Sequence, residues 1–188
     1  LGDKQICASA KGLLAASGAS AEDRYLSVLP FSLLLEQIAG IALPILAGAP
    51  VSIASKAAGA ALQGDTLPLT NAFADAFEGV GATASVLVPG LLNAWVKTLA
   101  ATNTVAPASL RFIAVGGAPV NQALAKMAWD LGVPVHEGYG LSECCSVVSV
   151  NRPGQRSAGT TGTPITGVNV TLQAGEISVQ GKTLMDAS

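Results

Sequence analysis

The segment from Leu110 to Gly140 reads LRFIAVGGAPVNQALAKMAWDLGVPVHEGYG. Two short runs rich in Val, Ile and Phe flank a longer run rich in alanine and leucine. This alternation is expected where parallel strands are buried beneath helices. It predicts strands over Leu110–Val115 and Val133–Glu137, and a helix over Asn121–Leu131 between them.

The same alternation continues on the N-terminal side of this segment. It predicts strands over Tyr25–Leu29, Val51–Ala54 and Ala84–Val88, and helices over Lys11–Ser17, Leu33–Leu46, Thr70–Phe77 and Leu91–Ala101. After Ser142 the chain becomes polar and glycine-rich, and two segments of period two, Asn169–Gln173 and Glu176–Gln180, predict a hairpin. The expected fold is a layered α/β/α structure with mainly parallel strands and a C-terminal β-hairpin region. Residues 1–150 would form its α/β core, and residues 151–188 a β-rich segment of the same large domain.

The composition limits the classes of partner. Half of the 188 residues are hydrophobic and only 12% are charged, against about 25% in an average globular domain. The net charge is -2, and the ten basic residues are scattered, so nothing predicts a nucleic-acid partner. A surface this poor in charge predicts contact with the remaining parts of a longer chain.

The cysteines and the long uncharged stretches bear on location. The three cysteines have no CxxC spacing and the chain has one histidine, so no local metal site is expected and reduced thiols in the cytoplasm are predicted.

Residues 37–55 and 79–96 carry no charge, which leaves membrane spans as an alternative. Their internal glycines and prolines favour buried helix-turn-strand units instead. No signal-peptide pattern opens the chain.

The segment HEGYGLSE, from His136 to Glu143, follows a predicted strand and is the first candidate site. Ligands of open α/β sheets bind at the carboxyl ends of the strands. Glycines allow close approach of a ligand, the Tyr139 ring can stack on a base, the Ser142 hydroxyl can bond a phosphate oxygen, and Glu143 can hold Mg²⁺. An ordinary turn with a buried tyrosine is the alternative.

A second glycine-rich turn, from Val115 to Pro119, closes one predicted strand and opens a helix. Its backbone amides could contact a ligand at the helix N-terminus. A tight turn that binds nothing would use the same residues.

Five blocks taken together resemble the adenylate-forming superfamily, which comprises acyl-CoA synthetases, adenylation domains of peptide synthetases and luciferases. In chain order they are YLSVLPFSLLLEQIAG, RFIAVGGAPV, EGYGLSE, GTPITGVNV and GEISVQG. The resemblance runs from Lys4 to Met185, and EGYGLSE is its most specific block. The block LPFSLLLEQIAG is similar to one of the long-chain fatty acid ligases, and this subfamily is the closest in appearance.

The resemblance implies roles for the residues of these blocks. The adenine side would be lined by Gly117, Ala118 and Pro119, and Tyr139 would stack on the adenine. Ser142, in a position where the family usually has threonine, would contact the α-phosphate, and Glu143 would hold Mg²⁺. Gly138 and Gly140 would border the acyl group, and Glu137 is counted with the nucleotide-binding residues.

The resemblance also implies a reaction. A carboxylate would attack the α-phosphorus of ATP and release pyrophosphate, and the acyl group would then pass from AMP to a thiol, usually that of coenzyme A. Because the first step joins two anions, positioning and charge neutralisation would be the main catalytic contributions. The partners would be a carboxylic acid, of fatty or similarly apolar character, ATP and coenzyme A.

Several positions depart from the family pattern. Lys4 would be the lysine that ends the family's phosphate-grasping loop, with the loop itself before residue 1. Ala10 stands where histidine is common, and Leu33 stands where the fatty acid ligases usually have histidine. The ribose-binding aspartate, the hinge and the mobile small domain would follow residue 188. The 188 residues alone are therefore expected to be inactive.

Other readings of these motifs stay open. The run from Ser157 to Pro164 has the composition of a phosphate loop, but its place after EGYGLSE favours a connection into the hairpin. The sequence from Gly140 to Cys144 nearly fits the serine elbow of hydrolases, although the last glycine is missing and His136 precedes the serine. A non-catalytic nucleotide-binding or interaction module descended from a ligase is another alternative, as is an adenylation domain of a peptide synthetase.

Overall fold

A computed structural model describes residues 1–54 and 66–185. The strands are β1 (Tyr25–Ser27), β2 (Val51–Ile53), β3 (Ala84–Leu87), β4 (Phe112–Val115), β5 (Val135–Tyr139), β6 (Ser149–Val150), β7 (Thr163–Pro164), β8 (Val168–Gln173) and β9 (Glu176–Gly181). The α-helices are α1 (Asp3–Ser17), α2 (Leu43–Ala47), α3 (Thr66–Gly79), α4 (Pro89–Thr102) and α5 (Gln122–Asp130). A π-helix covers Glu36–Ala42 and a 3₁₀-helix covers Ser142–Cys144.

The main sheet has seven strands in the order β2-β1-β3-β4-β5-β6-β7. The first five in this order are parallel, and β6 and β7 are added antiparallel. Every residue of β3 and β4 is buried, which requires that both faces of the sheet are covered. The layered α/β architecture with a mainly parallel sheet is confirmed. The antiparallel pair β8–β9 confirms the C-terminal hairpin.

Helices of two groups cover the sheet. The π-helix, α1 and α2 contact one another, and α3, α4 and α5 form a second series of contacts. Phe77 and Trp95 stack between α3 and α4 with ring centroids 4.9 Å apart, and Phe73 meets both rings edge-on. Within the described residues, no helix is long and apolar enough to cross a membrane.

The region predicted as one α-helix over Leu33–Leu46 is a π-helix followed by the short helix α2. Pro44 has no amide hydrogen, so the carbonyl of Gly40 cannot be bonded in the α pattern, and the backbone widens into π turns. Gly40 is also required beside the buried Glu36, because an added Cβ would overlap the Glu36 carboxylate. The prediction of a uniform helix was wrong for this reason.

Glu36 is the fully buried acid of the π-helix. Ser27 of β1 donates a hydrogen bond to its Oε1, and Oε2 has no hydrogen-bond partner among the described residues. Burial raises the pKa of this carboxyl to about 7, although the bonds from Ser27 and the Leu29 amide oppose the shift.

Two further boundaries differ from prediction. Helix α1 begins at Asp3 rather than Lys11, so Lys4 lies in its first turn and not in a loop. The Gly2 amide donates to Gln5 Oε1 at 3.0 Å and caps this start. Strand β5 extends to Tyr139, because Gly138 and Tyr139 pair with β6. Strands β6 and β7 were not predicted. The division of the domain into residues 1–150 and 151–188 stays a prediction, and β7 lies in the second of these segments.

Candidate active site

A cavity of about 280 Å³ opens where β4 and β5 end. One wall is formed by Ala114 to Gly117 and another by Gly138 to Ser142. The lining also includes the apolar side chains of Leu33 to Leu35, just before the π-helix, and Ala39 within it. A largely apolar cleft with a few polar groups at the carboxyl ends of parallel strands is a usual place for a small-molecule site.

The cavity brings together five of the nine residues predicted for the site. Its walls include Gly117, Gly138, Tyr139, Gly140 and Ser142. The four that do not line it are Ala118, Pro119, Glu137 and Glu143. Ala118 and Pro119 are exposed beyond Gly117 on the same turn. Glu143 is exposed directly after Ser142.

The two glycine-rich turns face each other closely. Gly117 has a φ of +87°, a left-handed conformation that favours glycine. A Cβ added at Gly116 would lie 3.7 Å from the carbonyl oxygen of Gly138. An added Cβ at Gly116 would therefore be in van der Waals contact with the second turn, which shows how near the two turns lie.

Glu137 does not face the cavity, although it belongs to the predicted block. Its side chain is buried, and its Oε1 accepts a hydrogen bond from the Val120 amide at 3.1 Å. Its Oε2 has no partner in the described part of the chain. The observed contact of Glu137 joins β5 to the turn that follows β4.

Tyr139 is the last residue of β5, and 36% of it is exposed at the cavity. Its backbone is paired with Ser149, and its carbonyl accepts the Val148 amide at 2.9 Å. The strand pairing therefore fixes the backbone from which the ring projects, and an exposed aromatic face is available for stacking.

The turn after Tyr139 is tightly wound. A Cβ at Gly140 would overlap the carbonyl oxygen of Ser146, so only glycine fits there. Cys145 and Ser146 have φ values of +52° and +77°, a left-handed conformation that costs non-glycine residues about 1–3 kcal/mol each. The Ser146 amide bonds the Leu141 carbonyl at 3.1 Å and closes the turn.

The turn presents two oxygen ligands to solvent at the edge of the cavity. Ser142 and Glu143 are both exposed, and the Glu143 carbonyl accepts the Met185 amide at 2.8 Å, which fixes its backbone. Carboxylate oxygens are ligands that Mg²⁺ prefers. The exposed Glu143 side chain is therefore one oxygen donor of the kind that a magnesium site needs. Among residues 1–54 and 66–185, no group of three or more His, Cys, Asp or Glu side chains could hold a metal by itself.

His136 lines the cavity from β5 but is held by neighbouring groups. Its Nδ1 lies 3.0 Å from the Asn151 carbonyl, and its ring stacks on Phe112. Burial lowers its pKa to about 4, with a smaller contribution in the same direction from the charge of Arg156. Among the described residues no hydrogen bond joins His136 to Ser142, and so low a pKa makes the imidazole a poor base, so a hydrolase with Ser142 as nucleophile is not supported.

The buried cysteine pair is inert by the same reasoning. Burial raises the thiol pKa of both Cys144 and Cys145, and the charge of Glu143 raises that of Cys144 further. Both are free thiols. Because the thiolate is the reactive form, these two side chains act as packing groups.

The run from Ser157 to Pro164 connects the core to the hairpin and is organised by Asn151. The Asn151 Oδ1 accepts the Ser157 amide at 3.0 Å, and its Nδ2 donates to the Thr160 carbonyl. Pro164 ends β7 at the sheet edge. The Ser157 and Thr160 amides already have partners within this region, so neither is free to hold a phosphate.

Sequence reasoning missed the apolar wall of the cavity. Leu34, Leu35 and Ala39 were predicted only as helix residues, and Val147 only as part of a polar region. Three consecutive leucines at a helix start were the available signal, because a helix cannot turn all three toward the same core.

The fold and the cavity define an α/β protein with a ligand site at the strand ends. The chain belongs to the family of AMP-binding enzymes, because the model of that family matches residues 3–186. Its relatives in this family of adenylate-forming ligases include a 2-succinylbenzoate–CoA ligase.

Three comparisons illustrate the similarity. A 2-succinylbenzoate–CoA ligase of Bacillus pumilus is 31% identical over 91 residues, which cover 42% of this chain and 19% of that protein. MenE of E. coli, solved with a bound phenylether-linked analogue of OSB-AMS, is 26% identical with a TM-score of 0.70, covering 96% of this chain and 35% of that one. A long-chain-fatty-acid-CoA ligase (FadD1) of Archaeoglobus fulgidus shares the fold, with a TM-score of 0.78 at 24% identity, covering 96% of this chain and 38% of that one.

The chain therefore spans less than two fifths of the length of these relatives. MenE of Bacillus subtilis, which shares the fold at 20% identity, was solved in complex with ATP and magnesium ion.

Proposed function

We propose that the chain is the nucleotide- and acyl-binding part of an AMP-forming acid-thiol ligase. The observation that carries this proposal is a cavity that both glycine-rich turns line together with Ser142 and Tyr139, and that is also lined by Leu33 to Leu35 beside the π-helix. An acyl-adenylate has both kinds of group, since its adenosine phosphate is polar and its acyl group is apolar.

The residues take the roles that their positions allow. The adenine lies beside Gly117, Ala118 and Pro119 and stacks on Tyr139. Ser142 donates its hydroxyl to the α-phosphate, and Glu143 holds Mg²⁺, which neutralises phosphate charge when it is bound. Gly138 and Gly140 border the acyl group, whose chain extends toward Leu33 and its neighbours. The apolar wall favours a fatty or similarly apolar acid.

The reaction then has two balanced steps. A carboxylate oxygen forms a bond to the α-phosphorus as the bond to pyrophosphate breaks. The thiolate of coenzyme A next attacks the acyl carbon, forms the thioester and releases AMP. We expect the 188 residues to bind the adenylate without turnover, since they span about 40% of the similar ligases. Three free cysteines suit the reducing cytoplasm.

The first test is calorimetric titration with non-hydrolysable acyl-adenylate analogues that carry either an acetyl or a decanoyl group. We expect saturable binding, tighter for decanoyl, that Tyr139→Ala weakens and Tyr139→Phe retains. Met127→Ala is the control, because Met127 is exposed on α5 and does not line the cavity. Absence of binding by the folded protein would contradict the proposal. Binding by the whole protein without pyrophosphate release would indicate a non-catalytic nucleotide-binding module.

A further inference from the structure

Ser9 of α1 contacts the turn that bears the candidate phosphate and metal ligands. Its Oγ donates a hydrogen bond of 2.7 Å to the carbonyl oxygen of Cys145, across 136 positions of sequence. Both residues are fully buried. The bond reaches the first of the two consecutive left-handed residues, Cys145 and Ser146, that close the turn.

The Ser9 hydroxyl is the long-range partner of the Cys145 carbonyl. Among the described residues, this carbonyl otherwise accepts only the Val147 amide, two residues further along the chain, at 3.1 Å. A bond across two residues has poor geometry, whereas the Ser9 hydroxyl comes from a separate element. Left-handed non-glycine residues persist only where the surroundings hold them.

Helix α1 offers a fixed support for Ser9. One turn later, Gly12 packs so closely on the segment before β8 that an added Cβ would lie 2.8 Å from Ile165 Cδ1 and 3.0 Å from the Thr166 carbonyl oxygen. This packing holds α1 on the face that carries Ser9, so the Ser9 hydroxyl has a fixed position.

We propose that Ser9 is a positioning residue, which sets the turn bearing Ser142 and Glu143 through its bond to the Cys145 carbonyl. The effect of Ser9 on the geometry of the turn does not depend on the proposed function. Its effect on the binding of a phosphate and Mg²⁺ rests on that function. Ser9 touches neither the cavity nor a ligand. It acts through the backbone of the turn.

The geometric part is tested by hydrogen exchange. In Ser9→Ala we expect the amides of Cys145 and Ser146 to exchange about tenfold faster, because the turn loses a buried partner and opens more often. Ser9→Thr keeps the hydroxyl and should retain protection. Ser17→Ala is the matched control, since Ser17 is also fully buried on α1 but donates to Leu14 of its own helix. Unchanged exchange of the two amides in Ser9→Ala would overturn the proposal.

The functional part is tested by the binding of two ligands. Ser9→Ala should weaken binding of ATP with Mg²⁺ about tenfold and leave adenosine binding unchanged, because the Gly116 to Pro119 turn follows β4 and the backbone of Tyr139 is held by its pairing with β6. Equal losses for both ligands would mean general destabilisation and would overturn the positioning role. If the unaltered protein bound neither ligand while the exchange result held, the proposed function would fail and the Ser9 contact would stand.

Discussion

Glu137 Oε1 accepts a hydrogen bond from the amide of Val120 at 3.1 Å, and this bond joins the two strands that form the candidate site. Glu137 lies within β5, and Val120 follows the turn of Gly116 to Pro119. The distance between the Gly116 to Pro119 turn and the Tyr139 segment is therefore fixed by a buried bond as well as by the sheet.

Replacement of Glu137 should cost stability and nucleotide affinity together. In Glu137→Ala the buried Val120 amide loses its partner, which costs about 1–3 kcal/mol. Urea denaturation should show this loss, and adenosine should bind more weakly. Glu137→Gln keeps an acceptor oxygen and should be close to the unaltered protein. Glu78→Ala, at an exposed position of α3, controls for loss of a carboxylate. Full stability in Glu137→Ala would show that the bond contributes nothing.

Gly140 should tolerate no side chain. Gly140→Ala places its Cβ on the Ser146 carbonyl oxygen, so the backbone of the turn must move, at a cost of at least about 3 kcal/mol. Gly90→Ala is the matched control, because nothing lies within 4 Å of an added Cβ there and the residue is in the first turn of α4. The control should be neutral or up to about 1 kcal/mol more stable. Equal unfolding free energies for the two variants would contradict the predicted overlap.

Local pattern was sufficient to predict the five parallel strands of the sheet. The runs at Ala84–Leu87 and Phe112–Val115 are short, apolar and bounded by turns, and each is a strand with every residue buried. Alternation with helical segments then fixed the parallel direction. The formation and burial of these strands depend on the hydrophobicity of neighbouring residues, which is visible directly in the sequence.

The errors lie where distant residues decide the local structure. Tyr139 is in a strand because β6, ten residues later, pairs with it. The helix over residues 36–42 is a π-helix because Pro44 and the buried Glu36 constrain Gly40 together. Ser9 meets Cys145 only after folding. No periodicity in one segment contains these contacts.

Two buried titrating groups should give opposite pH dependences of stability. Burial raises the pKa of Glu36 from 4.5 to about 7, so its contribution is present at low pH and is lost as pH rises through 7. Burial lowers the pKa of His136 from 6.5 to about 4, so its contribution is present above 6.5 and is lost as pH falls through 4. Between pH 4.5 and 6.5 the two slopes oppose each other.

Of these two groups only His136 can titrate in Glu36→Gln, so the unfolding free energy of this variant should change with pH as His136 dictates. The unaltered protein should show a nearly flat unfolding free energy between pH 4.5 and 6.5, whereas the variant should gain on the order of 2–3 kcal/mol over that window. Urea denaturation at several pH values measures both. Asp75→Asn, an exposed carboxyl of α3, should leave the profile unchanged. The same profile in Glu36→Gln as in the unaltered protein would refute the assignment.

Glu143 should determine the magnesium dependence of the reaction, if the proposed function is right. In Glu143→Gln a neutral amide replaces the exposed carboxylate that would hold Mg²⁺ beside the phosphates, so pyrophosphate release by the whole protein should fall at least about a hundredfold. Saturating Mg²⁺ should recover little of this loss, and adenosine binding should be unchanged because the adenine turn is intact. Glu176→Gln, on the exposed hairpin, is the matched control. Near-normal turnover with an unaltered Mg²⁺ requirement would remove Glu143 from the metal role.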